Sequence, residues 1–317
     1  MRIRLGYVAI SLSIEQGSPN KTVTVANLQK LADPADRLSR LRRLARENLA
    51  NQLRVLKYNA AHDIHVFRFT SKLIPLATHP EADGWDYAGE FAAELWEIGE
   101  YVRQHGMRVS AHPDHFTILN SPDEQVLSGT LKDLEYHMRL FDAMGFGAEA
   151  KLVVHVGGLY KDKTQSLERF CRQFALLPPA LRERLIIEND DRSYTAADVL
   201  ALCRTIGAPM VLDVHHHACI NEGTDLAELW PSVAATWGDA APKIHLSSPK
   251  DGPNMRAHAD YIQIEDFLRF ADVARELGRD VDVMLEAKHK DLALQRLMEE
   301  LRNQPGVTVL DESTIAL

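Results

Sequence analysis

The chain has 317 residues, 45% of them hydrophobic and 26% charged, close to the average of globular proteins. No window of about 18 residues is apolar enough to span a bilayer, and the opening MRIRLGYVAISLSIEQG lacks a leader cleavage site and reads as a strand. A net charge of −9 argues against a general nucleic-acid binder, and three unpatterned cysteines (Cys171, Cys203, Cys219) exclude a disulfide framework or CxxC zinc site, as suits a reducing cytoplasm.

Short β-branched runs alternate with amphipathic ones along the whole chain. Strands are predicted at 3–10 (IRLGYVAI), 64–70 (IHVFRFT), 108–113 (RVSAHP) and 151–158 (KLVVHVGG). Four more follow at 185–190 (LIIEND), 209–216 (PMVLDVHH), 243–249 (KIHLSSP) and 281–288 (VDVMLEAK). Helical patterns lie between them, several stopping at a glycine: Gly106, Gly145, Gly207 and Gly278. Eight strand–helix units predict an α/β fold of the (β/α)8 TIM-barrel type, one domain over residues 1–317. The alternative, an open doubly wound sheet, would carry a glycine-rich turn after its first strand, and GYVAISLS is not one.

Barrel active sites lie at the carboxyl ends of the strands. Those ends read Tyr7, Arg68 to Ser71, His112, His155, Glu188, Asp213 with His216, His245 and Glu286. Six consecutive strands thus finish on a metal-binding side chain. His79, after the second strand, and His258, after the seventh, bring the candidates to nine. One catalytic ion uses about three protein ligands, so nine predict a cluster of two or three ions, with Glu188 and Asp213 as bridges. Nitrogen and oxygen ligands without thiolate suit Mn²⁺ or Zn²⁺. Such a cluster can activate water and stabilise both the attacking and leaving oxygens of a phosphoryl displacement, and a pair of ions can equally polarise a sugar during isomerisation.

The other histidines on strand starts and helices (His62, His65, His105, His137, His289) read as structural. Within HHH, strand alternation would turn His216 toward the ions and leave His215 and His217 to support or pack. Residues 37–57 hold seven cations against Glu47 alone, a local balance of +6, read as a solvated helix face. Arg68, Lys72, Lys161, Lys250 and Arg256 in strand-end loops are better placed to meet phosphates. Tyr7, Phe116 and Tyr160 on the same rim could stack on bases.

In this order and spacing the chain resembles the UV damage endonuclease family, relatives of the apurinic endonuclease IV barrel. The resemblance rests on LGYV (5–8), LKYNAAHDIHVFRFTSKLIPLATH (56–79), SAHPDHF (110–116), VVHVGG (153–158), IIENDD (186–191), LDVHHH (212–217), KIHLSSPKDG (243–252) and LEAKHKD (285–291). It implies a nuclease that needs no ATP or nucleotide cofactor. Such an enzyme nicks double-stranded DNA immediately 5′ of cyclobutane pyrimidine dimers and 6-4 photoproducts and leaves a 3′-hydroxyl. His79, His112, His155, Glu188, Asp213, His216, His245, His258 and Glu286 match the family's metal ligands, with about three ions per chain expected and Mn²⁺ ahead of Zn²⁺. Glu188, Lys243 and His245 would be catalytic, Lys243 matching a lysine near the metals that can be carboxylated in the family. Tyr7, Arg68, His115, Phe116, Tyr160, Lys250 and Arg256 would meet the DNA. His115-Phe116 stands where some members have Gln-Tyr at the probe that enters the duplex. A cytoplasmic monomer is expected, with a metal-dependent sugar isomerase or epimerase on a related barrel as the alternative.

Overall fold

The structure is a computed structural model describing residues 1–250 and 255–317; Asp251 and Gly252 of the KIHLSSPKDG motif lie outside the described residues. All eight predicted strands form, each shorter than its sequence run. They are β1 (Arg2–Val8), β2 (Val66–Phe69), β3 (Arg108–Ala111), β4 (Lys151–His155), β5 (Leu185–Glu188), β6 (Met210–Asp213), β7 (Lys243–Leu246) and β8 (Val281–Leu285). Neighbours pair in parallel in chain order, and β1 pairs with both β8 and β2, so the sheet closes into a (β/α)8 barrel. The helices that follow the strands are α1 (Pro34–Ala61), α2 (Ala92–Gln104), α3 (Glu124–Ala143), α4 (Lys163–Leu176), α5 (Ala196–Ile206), α6 (Leu226–Ala235), α7 (Ile264–Leu277) and α8 (Lys290–Leu301). The four glycines read as helix stops all sit at positive φ.

Alternation along each strand sorts side chains into two shells. Odd residues of β1 (Ile3, Leu5, Tyr7) join the large core under the helices. The opposite face points into the barrel, where Val8, Val66 and Met284 form one small cluster and Val153, Ile186, Val211 and Trp237 another. Gly6 lies on this inner face, and a Cβ there would collide with the Val66 carbonyl, so β1 and β2 can approach only at a glycine. Following the ladders (Gly6↔Met284, Arg4↔Asp282, Lys243↔Asp282, Asp213↔His245, His155↔Glu188) puts Arg4, Ser110, Lys243 and Asp282 in the same lumen as the predicted ligands, toward its amino end.

Two further strands, β9 (Thr308–Val309) and β10 (Thr314–Ala316), were absent from the sequence reading. Strand β2 reaches only Gly6–Val8, and β10 runs antiparallel beside Arg2–Arg4, covering the part of β1 that β2 leaves open. Ile315 is fully buried there. The HHH segment also departs from expectation: the strand ends at Asp213 and Val214–Cys219 is a helical turn. Asp213 caps it by accepting from the His216 N–H at 2.7 Å, so His216 reaches the site by helical spacing, three residues on, and not by strand alternation.

Candidate metal centre

Glu188, at the end of β5 and 1% exposed, is the hub. Its Oε2 lies 3.1 Å from His112 Nε2 and 3.5 Å from His155 Nε2; its Oε1 lies 2.7 Å from His245 Nδ1 and 4.0 Å from His216 Nδ1. Asp213 Oδ2 is 3.7 Å from His216 Nδ1, and Glu286 approaches His245 through Oε1 (3.2 Å) and His258 through Oε2 (3.9 Å). Three groups follow, each with donor atoms mutually close enough for one ion: His112–His155–Glu188, Glu188–Asp213–His216 and Glu188–His245–Glu286. Glu188 belongs to all three. Seven of the nine predicted ligands are therefore gathered, with His258 against Glu286. His79 stands outside these groups: it caps a turn after β2, its Nδ1 accepting from the Glu81 N–H at 3.1 Å, which leaves Nε2 without a partner among the described residues.

The electrostatics depend on cations being near. Burial alone would raise the Glu188 pKa, but His245 and His155, with hydrogen bonds from His112 and His245, hold it well below the usual carboxylate range. Glu286 is lowered against its own burial by Arg68, its ion-pair partner, and by His245. Burial pushes Asp213 up to about 6 despite His216, with Glu188 and Glu286 adding to the rise. His216 goes up to about 9 because Asp213 and Glu188 outweigh its burial. Asp213 Oδ2, His155 Nδ1 and His245 Nε2 are buried without a hydrogen-bond partner among the described residues. Unpartnered oxygen and imidazole nitrogen in one pocket, without thiolate, fit divalent cations.

Outer contacts orient the ligands. His112 Nδ1 lies 2.9 Å from the Pro113 carbonyl, and His216 Nδ1 lies 2.9 Å from the Asn189 carbonyl. Fully buried Asn189 also exchanges two hydrogen bonds with the Asp213 backbone, a positioning role the sequence reading missed. His215 has both ring nitrogens engaged, by Ser247 Oγ and the Met255 carbonyl, in keeping with a supporting role. Lys243 is buried on the inner face, Nζ donating to Ser110 Oγ at 3.0 Å, its amine pushed down to about 7 by burial and then by Arg108.

Around this pocket Phe116 is 44% and Tyr160 41% exposed, and His115 packs edge-on against Phe116. His115 borders a cavity of about 330 Å³ that reaches His112 and His155, and Phe116 borders another of about 400 Å³ with Ser71, Lys72 and His79. Lys250 is exposed, and exposed Arg256 lies 3.5 Å from Asp191. Tyr7 is a correction: as an odd residue of β1 it points away from the lumen, is fully buried, and donates its hydroxyl to Asn59 of α1 at 2.6 Å, so it offers no face to a base. The basic run behaves as expected, Arg37, Arg42 and Arg46 pairing with Glu81, Glu90 and Glu94 on the outer surface.

A family profile described as UV-endonuclease UvdE matches residues 3–316. The chain is 41% identical to the UV DNA damage endonuclease of Halalkalibacterium halodurans and 37% identical to that of Bacillus thuringiensis subsp. konkukian, with 99% of each chain covered in both cases. Among solved structures it matches the crystal structure of SacUVDE with a TM-score of 0.84 and 31% identity, over 95% of this chain and 100% of that one. A D-tagatose 3-epimerase-like protein matches with a TM-score of 0.52 and 15% identity, over 78% of this chain and 90% of that one, a likeness of fold alone.

Proposed function

The chain belongs to the UV-endonuclease UvdE family, and from that premise we propose that it is a metal-dependent repair endonuclease cutting DNA immediately 5′ of cyclobutane dimers and 6-4 photoproducts, leaving a 3′-hydroxyl. The observation that carries the metal-dependent part is Glu188, whose two oxygens serve three ligand groups at once. His112, His155, Glu188, Asp213, His216, His245, His258 and Glu286 would hold about three ions, with His79 completing the set through Nε2. Bound divalent cations supply Lewis acidity, which activates water and stabilises negative charge on a phosphate under attack.

The chain's own residues do the rest. Arg68, tied to Glu286, brings a guanidinium to the edge of the pocket, where it neutralises a phosphate oxygen. Lys250 and Arg256 hold the backbone on either side of the cut and set register without reading sequence. His115 and Phe116 enter the duplex opposite the lesion, and Phe116 replaces the stacking lost when damaged bases leave the helix; damage has already weakened pairing, so extrusion costs less there. Tyr160, its ring held against Arg169 (5.4 Å), supplies a second stacking face. Lys243 keeps its amine close to neutral, able to take up a proton or carbon dioxide beside the ligand ring.

Purified protein with Mn²⁺ is expected to nick UV-irradiated supercoiled plasmid above the unirradiated control, EDTA to stop it, and added Mn²⁺ to restore it. Absence of nicking with metal bound sinks the proposal. A metal content near three ions per chain supports the nuclease, whereas one or two reopens the epimerase-type reading. Phe116→Ala should leave metal content unchanged and reduce the preference for irradiated over intact duplex about tenfold, the scale of one lost base–aromatic stack.

A further inference from the structure

The loop from β1 to α1 crosses the rim of the barrel, and an uncommon number of side chains fix it. Asp291, fully buried in the first turn of α8, accepts from Ser11 Oγ (2.7 Å), the Leu12 N–H (2.7 Å) and the Ser13 N–H (3.2 Å). Gln295 donates to the Tyr58 hydroxyl (2.8 Å), which donates to Ser13 Oγ (3.3 Å). One face of α1 continues the series: Arg54 donates to the Glu15 carbonyl, Asn51 to the Gln16 and Ser18 carbonyls, and Asn48 clasps Lys21 through both its N–H and its carbonyl. Thr70 Oγ1, just past β2, donates to Asn20. The loop therefore starts beside the segment that carries Glu286, passes over β2, and at Thr22 borders the cavity shared with Phe116.

Such anchoring exceeds what a connecting loop needs, since surface loops usually carry few long-range bonds and stay mobile. At its most tightly held point it presents an apolar side chain to solvent: Leu12 is 45% exposed while its own N–H is bound to Asp291. A lone exposed leucine needs no explanation. One whose backbone is locked by a buried carboxylate, in a loop that leaves the carboxyl end of β1 and is held by the helix after β8, is preorganised for a contact.

We propose that Leu12 is a second apolar contact to the substrate duplex, on the side of the barrel where β8 meets β1, so that Leu12, on the ledge formed by the loop from β1 to α1, and Phe116, on the separate loop after β3, bracket the lesion; this rests on reading the site as a DNA-damage nuclease. Leu12 packs on the sugar or exposed base face beside the extruded nucleotides, and Asp291 is the positioning residue that holds it there.

The test is single-turnover nicking of a duplex carrying one cyclobutane dimer, and of its undamaged counterpart, as a function of protein concentration with Mn²⁺ present. Leu12→Ala should raise the half-saturating concentration for the damaged duplex about tenfold, the worth of a buried leucine contact, and leave the limiting rate within about twofold. Leu12→Met should restore the parent value, and the thermal midpoint should be unchanged in both. Asp291→Asn, which loses an acceptor oxygen but keeps the shape, should shift the same constant and add little on top of Leu12→Ala. An unchanged half-saturation in Leu12→Ala, with the unsubstituted protein still selecting damage, overturns the ledge alone. An unsubstituted protein that nicks both duplexes alike overturns the damage-nuclease reading, and this proposal with it.

Discussion

Glu188→Gln is expected to abolish nicking, by at least about a thousandfold, while leaving the protein folded. The substitution preserves volume and exchanges one carboxylate oxygen for an amide NH₂. Both oxygens of Glu188 are committed, one toward His112 and His155 and the other toward His245 and His216, so either rotamer of glutamine aims N–H donors at a ligand pair. An amide nitrogen is no metal ligand. The loss of one negative charge also removes the counter-charge about which the three groups are organised. Nicking of irradiated plasmid, read beside metal content, checks both consequences: activity and bound metal should fall together. A Glu188→Gln protein that cuts like its parent would mean that the hub has been misassigned.

The site was legible because its chemistry lies at strand ends, and strand ends can be read from one-dimensional patterns. His112, His155, Glu188, Asp213, His245 and Glu286 each close a β-branched run, and barrel closure does the work of bringing them together. What a single strand does not reveal is which face turns inward. Tyr7 lies next to the last residue of β1 and His155 ends β4, yet the pairing Gly6↔Met284 and Gly6↔Val66 gives the lumen to the even residues and turns Tyr7 toward Asn59. Register is a property of neighbouring strands, and a one-residue change in face reverses the reading. His216 reached the right place by a different route, since the Asp213 cap converts the expected strand into a helical turn. Strands β9 and β10 escaped notice because each is two or three residues long and needs β1 to exist at all. The anchors of the β1 loop were equally hidden: Asp291 is about 280 positions from its partners in sequence, and nothing in KHKDLALQ announces that its aspartate faces a serine near the amino terminus.

Asp282→Ala should destabilise the protein by about 3 kcal/mol with the ligand ring untouched. Its fully buried carboxylate accepts from Arg4 Nε (2.7 Å) and Nη2 (3.0 Å) and from Arg108 Nη1 (2.5 Å), and its ladder partner on β7 is Lys243. A buried carboxylate with two guanidinium partners adds little net stability over a well-packed apolar layer, but deleting it alone leaves the cations facing one another in the lumen. Arg4, with a third of its side chain exposed, can turn to water, which keeps the loss at the low end of the usual range for a broken buried pair. Arg108 has less freedom: it donates to the Ala241 carbonyl at 2.6 Å and lies over the Trp237 ring at 5.1 Å. Asp282→Asn, which retains one acceptor and discards the charge, should fall between the parent and Asp282→Ala. Urea denaturation measures the loss, and a change below about 1 kcal/mol would show that the lumen relaxes around the missing acid. Nicking with Mn²⁺, assayed well below the lowered melting point, should persist in both variants. Among the described residues Asp282 belongs to none of the three ligand groups, so its loss should reach the metal centre through the shape of the barrel and through its ladder partner Lys243, whose positive charge it favours.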